Sequence, residues 1–238
     1  MTTLHQEMET CFVCGQTHEY VHVGSTNAFG SPDLDTRPPE MQRSTMPYWV
    51  QRCPSCGYCA PDVSEGPERA REIIQSSAYR QQLQDPSYPE LADSFLCAAL
   101  IQEDAGQYAD AGWAALHAAW ACDDEGTPSS ARAARQRAIA LFRRAQDEDQ
   151  DFIEGPGAAQ ALLSDLLRRS AQFDEVAAIY EEGLQAKPSK IIRQVLEFGL
   201  ALAALKDARS HRIEEATEPA PPRSGDQPTA RRLRDKRA

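Results

Sequence analysis

Cys11-Phe-Val-Cys14-Gly15 and Cys53-Pro-Ser-Cys56-Gly57 decide how the first part of this chain folds. Each puts two thiols on one tight turn, and the glycine after the second cysteine lets the backbone curl until its amides point at sulfur. Two such turns supply four sulfurs, the tetrahedral donor set that a structural zinc prefers. A paired Cys-x-x-Cys is a strong signal where a single one is weak. The competing reading is a redox pair, but the βαβ pattern expected around one is not visible here. The predicted metal ligands are therefore Cys11, Cys14, Cys53 and Cys56, holding one structural Zn2+. Four thiolates close the coordination sphere, so such an ion holds a fold together and does no chemistry.

Outward from the knuckles, Thr17–Val23 alternates with the period of a strand, which puts His18, Tyr20 and His22 on one face. Tyr48–Arg52 is expected as the strand returning beside it, making a zinc ribbon of residues 1–63. His18 and His22 are rival ligands on this reading. Cys59, in Cys53-x-x-Cys56-x-x-Cys59, is a stronger rival for the fourth position. The connection 24–47 is long for a compact domain, and such loops are functional or disordered more often than short ones. Phe29, Leu34, Met41 and Met46 offer anchors, while Asp33, Asp35, Arg37 and Arg43 offer mutual ion pairs. Two readings stay open: a packed loop with Asp–Arg pairs holding its turns, or a recognition surface displayed by the ribbon.

The chain has 238 residues, 41% hydrophobic and 26% charged, within the range of globular domains and long enough for one or two of them. Seven cysteines, four of them in knuckles, argue against a secreted disulfide framework. Met1–Glu9 is polar and lacks the apolar core of a signal peptide, and no apolar run approaches the roughly 20 residues of a membrane span. A soluble cytoplasmic protein is expected. The net charge of −11 is uneven: no Lys or Arg lies between Arg80 and Arg132, and a basic cluster from Arg132 to Arg144 follows. This reads as neighbouring helices of opposite sign, or as an acidic surface for a basic partner. On either reading the body is a poor match for phosphate backbones.

From Ser64 onward the pattern is helical, with Ser64-Glu-Gly-Pro67 as the predicted start and Ala70, Ile73, Ile74 and Ala78 as the first apolar stripe. The segment Leu163-Ser-Asp-Leu-Leu-Arg-Arg-Ser-Ala-Gln-Phe173-Asp-Glu-Val-Ala-Ala-Ile-Tyr180-Glu-Glu-Gly183-Leu-Gln-Ala-Lys-Pro188 resembles a tetratricopeptide repeat. It departs mildly at Ala171, where glycine is usual, and at Gly183, where alanine is usual. A weaker copy carries Phe95, Ala98, Ala99, Gly106, Tyr108, Ala111 and Ala118 at the matching places. In both, small residues let paired helices approach and large ones fill the space beside them. Residues 131–145 form one amphipathic helix, and Ser189 to Leu205 form a capping helix. Cys97 and Cys122 read as buried, and Trp113, His117 and Trp120 as a core stripe. Residues 209–238 have a disordered composition ending in the basic stretch Arg231–Arg237.

Taken together, the two Cys-x-x-Cys-Gly knuckles, the Trp49-Val50 lead into Cys-Pro-x-Cys-Gly-Tyr58, and Leu163-x-x-Leu-Leu-Arg-Arg before an aromatic turn resemble an uncharacterised bacterial family. That family joins an N-terminal four-cysteine zinc ribbon to tetratricopeptide-repeat-like helices. The resemblance covers about Cys11 to Leu205 and implies metal ligation at Cys11, Cys14, Cys53 and Cys56, with no established activity. The expected fold is mainly α with a small β zinc ribbon, its TPR-like antiparallel hairpins forming a short solenoid: ribbon 1–63, helices 64–208, tail 209–238. The expected function is a non-enzymatic zinc-binding scaffold or adaptor that binds a protein or peptide through those helices, with nucleic acid disfavoured and no membrane. The alternatives are a nucleic-acid-associated regulator reading through the ribbon, or an enzyme with a site in the 24–47 loop at Asp33 and Asp35. No catalytic or cofactor-binding residue is predicted. The repeat register places Asp93, Glu103, Asp104, Asp165, Arg168 and Arg169 in the groove of the helical array.

Overall fold

A computed structural model describes residues 1–217, so the basic stretch Arg231–Arg237 lies outside the described residues. Both knuckles are hairpin turns. Strand β1 (Thr3–Thr10) pairs antiparallel with β2 (Thr17–Ser25), closing at Thr10 opposite Thr17. Strands β3 (Ala28–Phe29) and β4 (Glu40–Met41) pair with each other, as do β5 (Gln51–Arg52) and β6 (Cys59–Ala60). The expected pairing of 17–23 with 48–52 does not form. Each Cys-x-x-Cys-Gly turn sends its strand straight back on itself, so the nearest segment in sequence becomes the partner. Strand β1 escapes a hydrophobic reading because nearly all its residues are exposed.

The predicted helix start at Ser64 is also replaced. The Ser64 amide and hydroxyl bond Asp62 Oδ1 at 2.8 and 2.6 Å, which holds a turn, and the first helix is the single turn α1 (Ala70–Ile73). Ser76 caps α2 (Ser77–Gln82) by accepting from the Tyr79 amide, and Tyr79, rather than Ala78, faces inward.

Six longer helices follow: α3 (Glu90–Asp104), α4 (Tyr108–Asp124), α5 (Pro128–Asp147), α6 (Ala158–Arg169), α7 (Phe173–Gln185) and α8 (Lys190–Ala204). Each packs on the next in sequence. The helices α3, α4, α5, α6 and α8 end alike, with a left-handed residue at Gly106, Gly126, Asp149, Ala171 and Lys206. The amide after it reaches back to the last turn, as Gln107 N to Gln102 O at 2.9 Å and Gln172 N to Leu167 O at 3.0 Å. Small residues set the helix spacing: a Cβ at Gly112 of α4 would lie 2.5 Å from the Phe142 ring of α5. Along α5 Ala134, Ala138, Leu141, Phe142 and Ala145 are buried, as the amphipathic reading of 131–145 requires, and Cys97 and Cys122 are buried as predicted. Among the described residues no helix is long and apolar enough to cross a membrane.

The 24–47 connection does not stand apart from the helices. Asp35, fully buried, accepts from Trp120 Nε1 at 3.0 Å and from Arg169 Nη1 at 2.6 Å. Arg169 continues to Asp123 at 2.8 Å, Asp123 also pairs with Arg135, and Arg37 pairs with Asp124. The far side of the connection is clasped by residues the composition assigns to a disordered tail. Leu34 N donates to His211 O, Ile213 N donates to Pro32 O, and a short helix α9 (Ile213–Thr217) follows. Order therefore extends past 209, because Arg168, buried in α6, donates to the carbonyls of Asp207 and Arg209 at 2.5 and 2.9 Å.

Candidate metal centre

The two knuckles are built on one plan. Gly15 N donates to Cys11 O and Gly57 N to Cys53 O, both at 2.8 Å, with φ of +72° and +77° at the two glycines. Cys11 N donates to Gln16 O and Cys53 N to Tyr58 O, closing each loop at 2.9 and 2.8 Å. Only a residue without a Cβ takes these φ values freely. At Gly57 a Cβ would also sit 2.6 Å from the Leu83 side chain.

Facing each other, the turns bring the Sγ atoms of Cys11, Cys14, Cys53 and Cys56 within 4.8 Å of one another. Across the knuckles, Cys11 and Cys56 are 3.7 Å apart and Cys14 and Cys53 are 3.6 Å apart. A tetrahedral thiolate site with metal–sulfur bonds of about 2.3 Å has sulfur–sulfur edges of about 3.8 Å. The four sulfurs therefore fit one metal ion. Burial pushes the Cys11 and Cys56 thiols up, as expected for sulfurs crowded together without a cation. At Cys53 burial acts in the same direction, but amides of Cys56 and Ser55 outweigh it and the thiol is lowered. Those amides favour the anionic sulfur that a metal needs.

The surroundings hold the two turns in register. His18 Nε2 lies 2.8 Å from Ser55 Oγ and so ties β2 to the second knuckle. Phe12 N donates to Val63 O, Val63 N donates to Gln51 Oε1, and Arg71 Nη2 donates to Val13 O at 2.6 Å. Tyr79 donates to Gly57 O and accepts from Cys59 N, which fastens the second knuckle to the helices. Buried Tyr20 sits over the site, and its hydroxyl is raised by burial and by the Cys53 and Cys11 sulfurs. Sequence reading missed Gln51, Arg71 and Tyr79 because their partners are backbone atoms far along the chain.

The rival ligands go elsewhere. Cys59 is fully buried, and its Sγ lies 3.4 Å from Gly57 O, apart from the four-sulfur cluster. His22 Nε2 pairs with Glu9 Oε1 at 2.7 Å. Glu7, Glu9 and His22 form a second close group on the exposed hairpin. The carboxylates of the alternative loop site are occupied as well: Asp33 pairs with Arg43 and Asp35 with Arg169. The charges that the repeat register assigns to a groove are paired internally, Glu103 with Arg137, Asp104 with Arg69, Arg168 with Asp165 and Arg169 with Asp35. Of the remaining groove residue, Asp93, the carboxylate accepts from Gln82 Nε2 at 3.0 Å.

The chain matches no family model, no curated protein and no solved structure. Its class is set by its own architecture, a mostly helical protein with small antiparallel strand pairs and a four-cysteine cluster suited to a metal ion.

Proposed function

We propose that this protein is a non-enzymatic scaffold or adaptor that holds one zinc ion at Cys11, Cys14, Cys53 and Cys56 and binds a protein or peptide through tetratricopeptide-like helices. Among first-row ions, four thiolates in a tetrahedron favour zinc or iron, and zinc suits a site with no redox task. All four positions are filled by protein, so the ion has no opening for substrate.

The observation that carries the repeat reading is the match between two turns. Gly106-Gln107 joins α3 to α4, and Ala171-Gln172 joins α6 to α7. Gln107 has φ −91° and ψ 66°, Gln172 has φ −94° and ψ 59°, and each follows a left-handed residue. Equal turns fix equal helix-pair geometry, the basis of a stacked repeat. The groove charges are engaged within the chain, so recognition of a partner rests on other surfaces of the helices, where Ile191 and Leu205 are exposed.

Affinity capture with mass spectrometry, followed by titration of the purified partner against the full chain, tests this reading. A protein partner bound at about micromolar or tighter, with affinity reduced by Ile191→Asp or Leu205→Asp, supports it. Recovery of nucleic acid alone, or measured turnover of a small substrate, contradicts it.

A further inference from the structure

Behind the second knuckle, two cavities run into each other between the metal-held part and helices α3 and α4. The inner one, about 290 Å³, is walled by Trp49, Phe95, Trp113 and His117, with Gln102 and Asp110 completing it. The outer one, about 660 Å³, runs past Phe12, Tyr58 and Ile101 to Asp62 and Glu65. Both share Pro61, Ala98 and Gln102. Each falls in or near the size range of small-ligand pockets.

Four features define what this space accepts. First, the aromatic rings gather tightly: His117 lies 5.1 Å from Trp49, 5.3 Å from Phe95, 6.2 Å from Trp113 and 5.0 Å from Trp120. Second, the indole N–H groups are already used. Trp49 donates to Thr45 Oγ1, Trp113 to Phe152 O and Trp120 to Asp35, which leaves the ring faces as the available surface. Third, acceptors are available. Gln102 Oε1 is buried without a partner among the described residues, and a neutral His117 offers one ring nitrogen as acceptor beside its single N–H. Burial pushes His117 down to about 4, so it is uncharged near neutral pH. Fourth, every charged residue lining the two cavities is an acid, with no Lys or Arg among them.

Electron-rich ring faces, an unmatched acceptor at Gln102 and carboxylates at both ends suit a cation that donates hydrogen bonds and carries an apolar stem. We infer that the linked cavities bind a linear aliphatic di- or polyamine. One ammonium sits in the cage of Trp49, Phe95, Trp113 and His117 beside Asp110, the methylene chain crosses Pro61 and Ala98, and a second ammonium meets Asp62 and Glu65. Concave clefts of this size, in place of a flat face, favour a free small molecule over the lysine side chains of a partner.

Intrinsic fluorescence reports on this site directly, because Trp49 and Trp113, two of the chain's three tryptophans, line it. The metal-loaded full chain is titrated with spermidine, putrescine, butylamine, butanediol and a short lysine-containing peptide. The expected result is a saturable change with spermidine and putrescine at about millimolar or tighter, a weaker one with butylamine and none with butanediol. Asp110 is exposed, so Asp110→Asn leaves the fold intact and is expected to weaken spermidine binding about tenfold. Glu197→Gln, an exposed change on α8, leaves binding unchanged and controls for attraction to an acidic protein in general. An equal response to butanediol, no saturable response to either polyamine, or equal affinity in the Asp110 and Glu197 variants overturns the assignment. Tighter binding of the lysine peptide than of spermidine overturns the choice of a free amine.

Discussion

Residues 1–63 and helices α3 to α8 bury their side chains in different ways. The first region contributes Cys11 and Cys53 together with Val13, Tyr20, Leu34, Met46, Val50, Tyr58 and Val63, spread over two-stranded hairpins and the loops between them. The second buries long runs such as Ala92–Ala99 and Ala114–Ala115-Leu116 beside Phe142, Leu166, Tyr180 and Leu196. Two-stranded hairpins are marginal alone, so on the proposed zinc reading the first region relies on a cross-link among four sulfurs. The helical region depends on close approach, with Gly112, Gly183 and Gly199 each placed where a Cβ would clash. Losing one sulfur should undo both knuckle hairpins, whereas losing one packed ring should cost only its local share.

The largest effect expected is therefore Cys14→Ser or chelation. Structural zinc sites contribute about 10–16 kcal/mol of apparent binding free energy to folding near pH 7. Amide signals of the knuckle hairpins, residues 3–25 and 51–60, should collapse in a two-dimensional NMR spectrum, while those of residues 33–37, held by α4 and α6, and the helical signal in far-ultraviolet circular dichroism persist. Simultaneous loss of the helical signal would break the comparison, because the two regions would then fold as one cooperative unit.

Next come single changes inside the helical region and at its junction with the loop. Phe142→Ala, which empties a fully buried ring site, should cost about 3–5 kcal/mol in denaturant unfolding. The turn aromatics Tyr108 and Phe173 are only half-buried, so truncating either should cost clearly less. Asp35→Ala removes one of the two carboxylates on Arg169 and leaves the buried Trp120 N–H without its acceptor, and should cost about 1–3 kcal/mol. If Asp35→Ala costs less than about 1 kcal/mol, the loop is an ornament on the helices and not part of their core.

A smaller effect depends on pH. Burial raises Asp93 from 3.8 to about 6, although Gln82 donates to it. Between about pH 4 and pH 6 the native state then holds a proton that the unfolded state has released, so stability falls as pH rises through this window. Asp93→Asn should remove that fall, leaving stability unchanged near pH 4 and higher above pH 6. A variant with the same pH slope as the parent would show that Asp93 is better solvated than its burial indicates. The smallest effect is Ala171→Gly. Ala171 has φ +59°, so relief of the left-handed conformation should stabilise by about 0.5–1 kcal/mol.

These residues also show where the sequence was readable. The knuckles carried their own geometry, since Cys, Cys and Gly at fixed spacing determine one turn whatever surrounds them. The helices α5 and α8 were equally clear from their apolar stripes, and Ala171 was marked as the place of an unusual glycine-like turn. Strand β1 was hidden because a two-stranded hairpin with both faces wet leaves no hydrophobic alternation. The ion pairs of the connection were foreseen as Asp–Arg pairs within the loop. Only Asp33–Arg43 is of that kind, and Asp35 and Arg37 pair instead with Arg169 and Asp124 on distant helices. Partners 134 and 87 residues away leave no local pattern to read. The order of 209–217 was lost for the same reason, because the buried Arg168 that holds Arg209 belongs to another helix.

The claim on which the comparison rests is that four thiolates hold one zinc ion. X-ray absorption at the zinc edge, joined with elemental analysis of the purified full chain, tests it most directly. The expected result is one zinc per chain, coordinated by four sulfurs at about 2.3 Å. Protein that is folded through residues 1–63 with no bound metal, or a zinc shell containing nitrogen or oxygen, would contradict it.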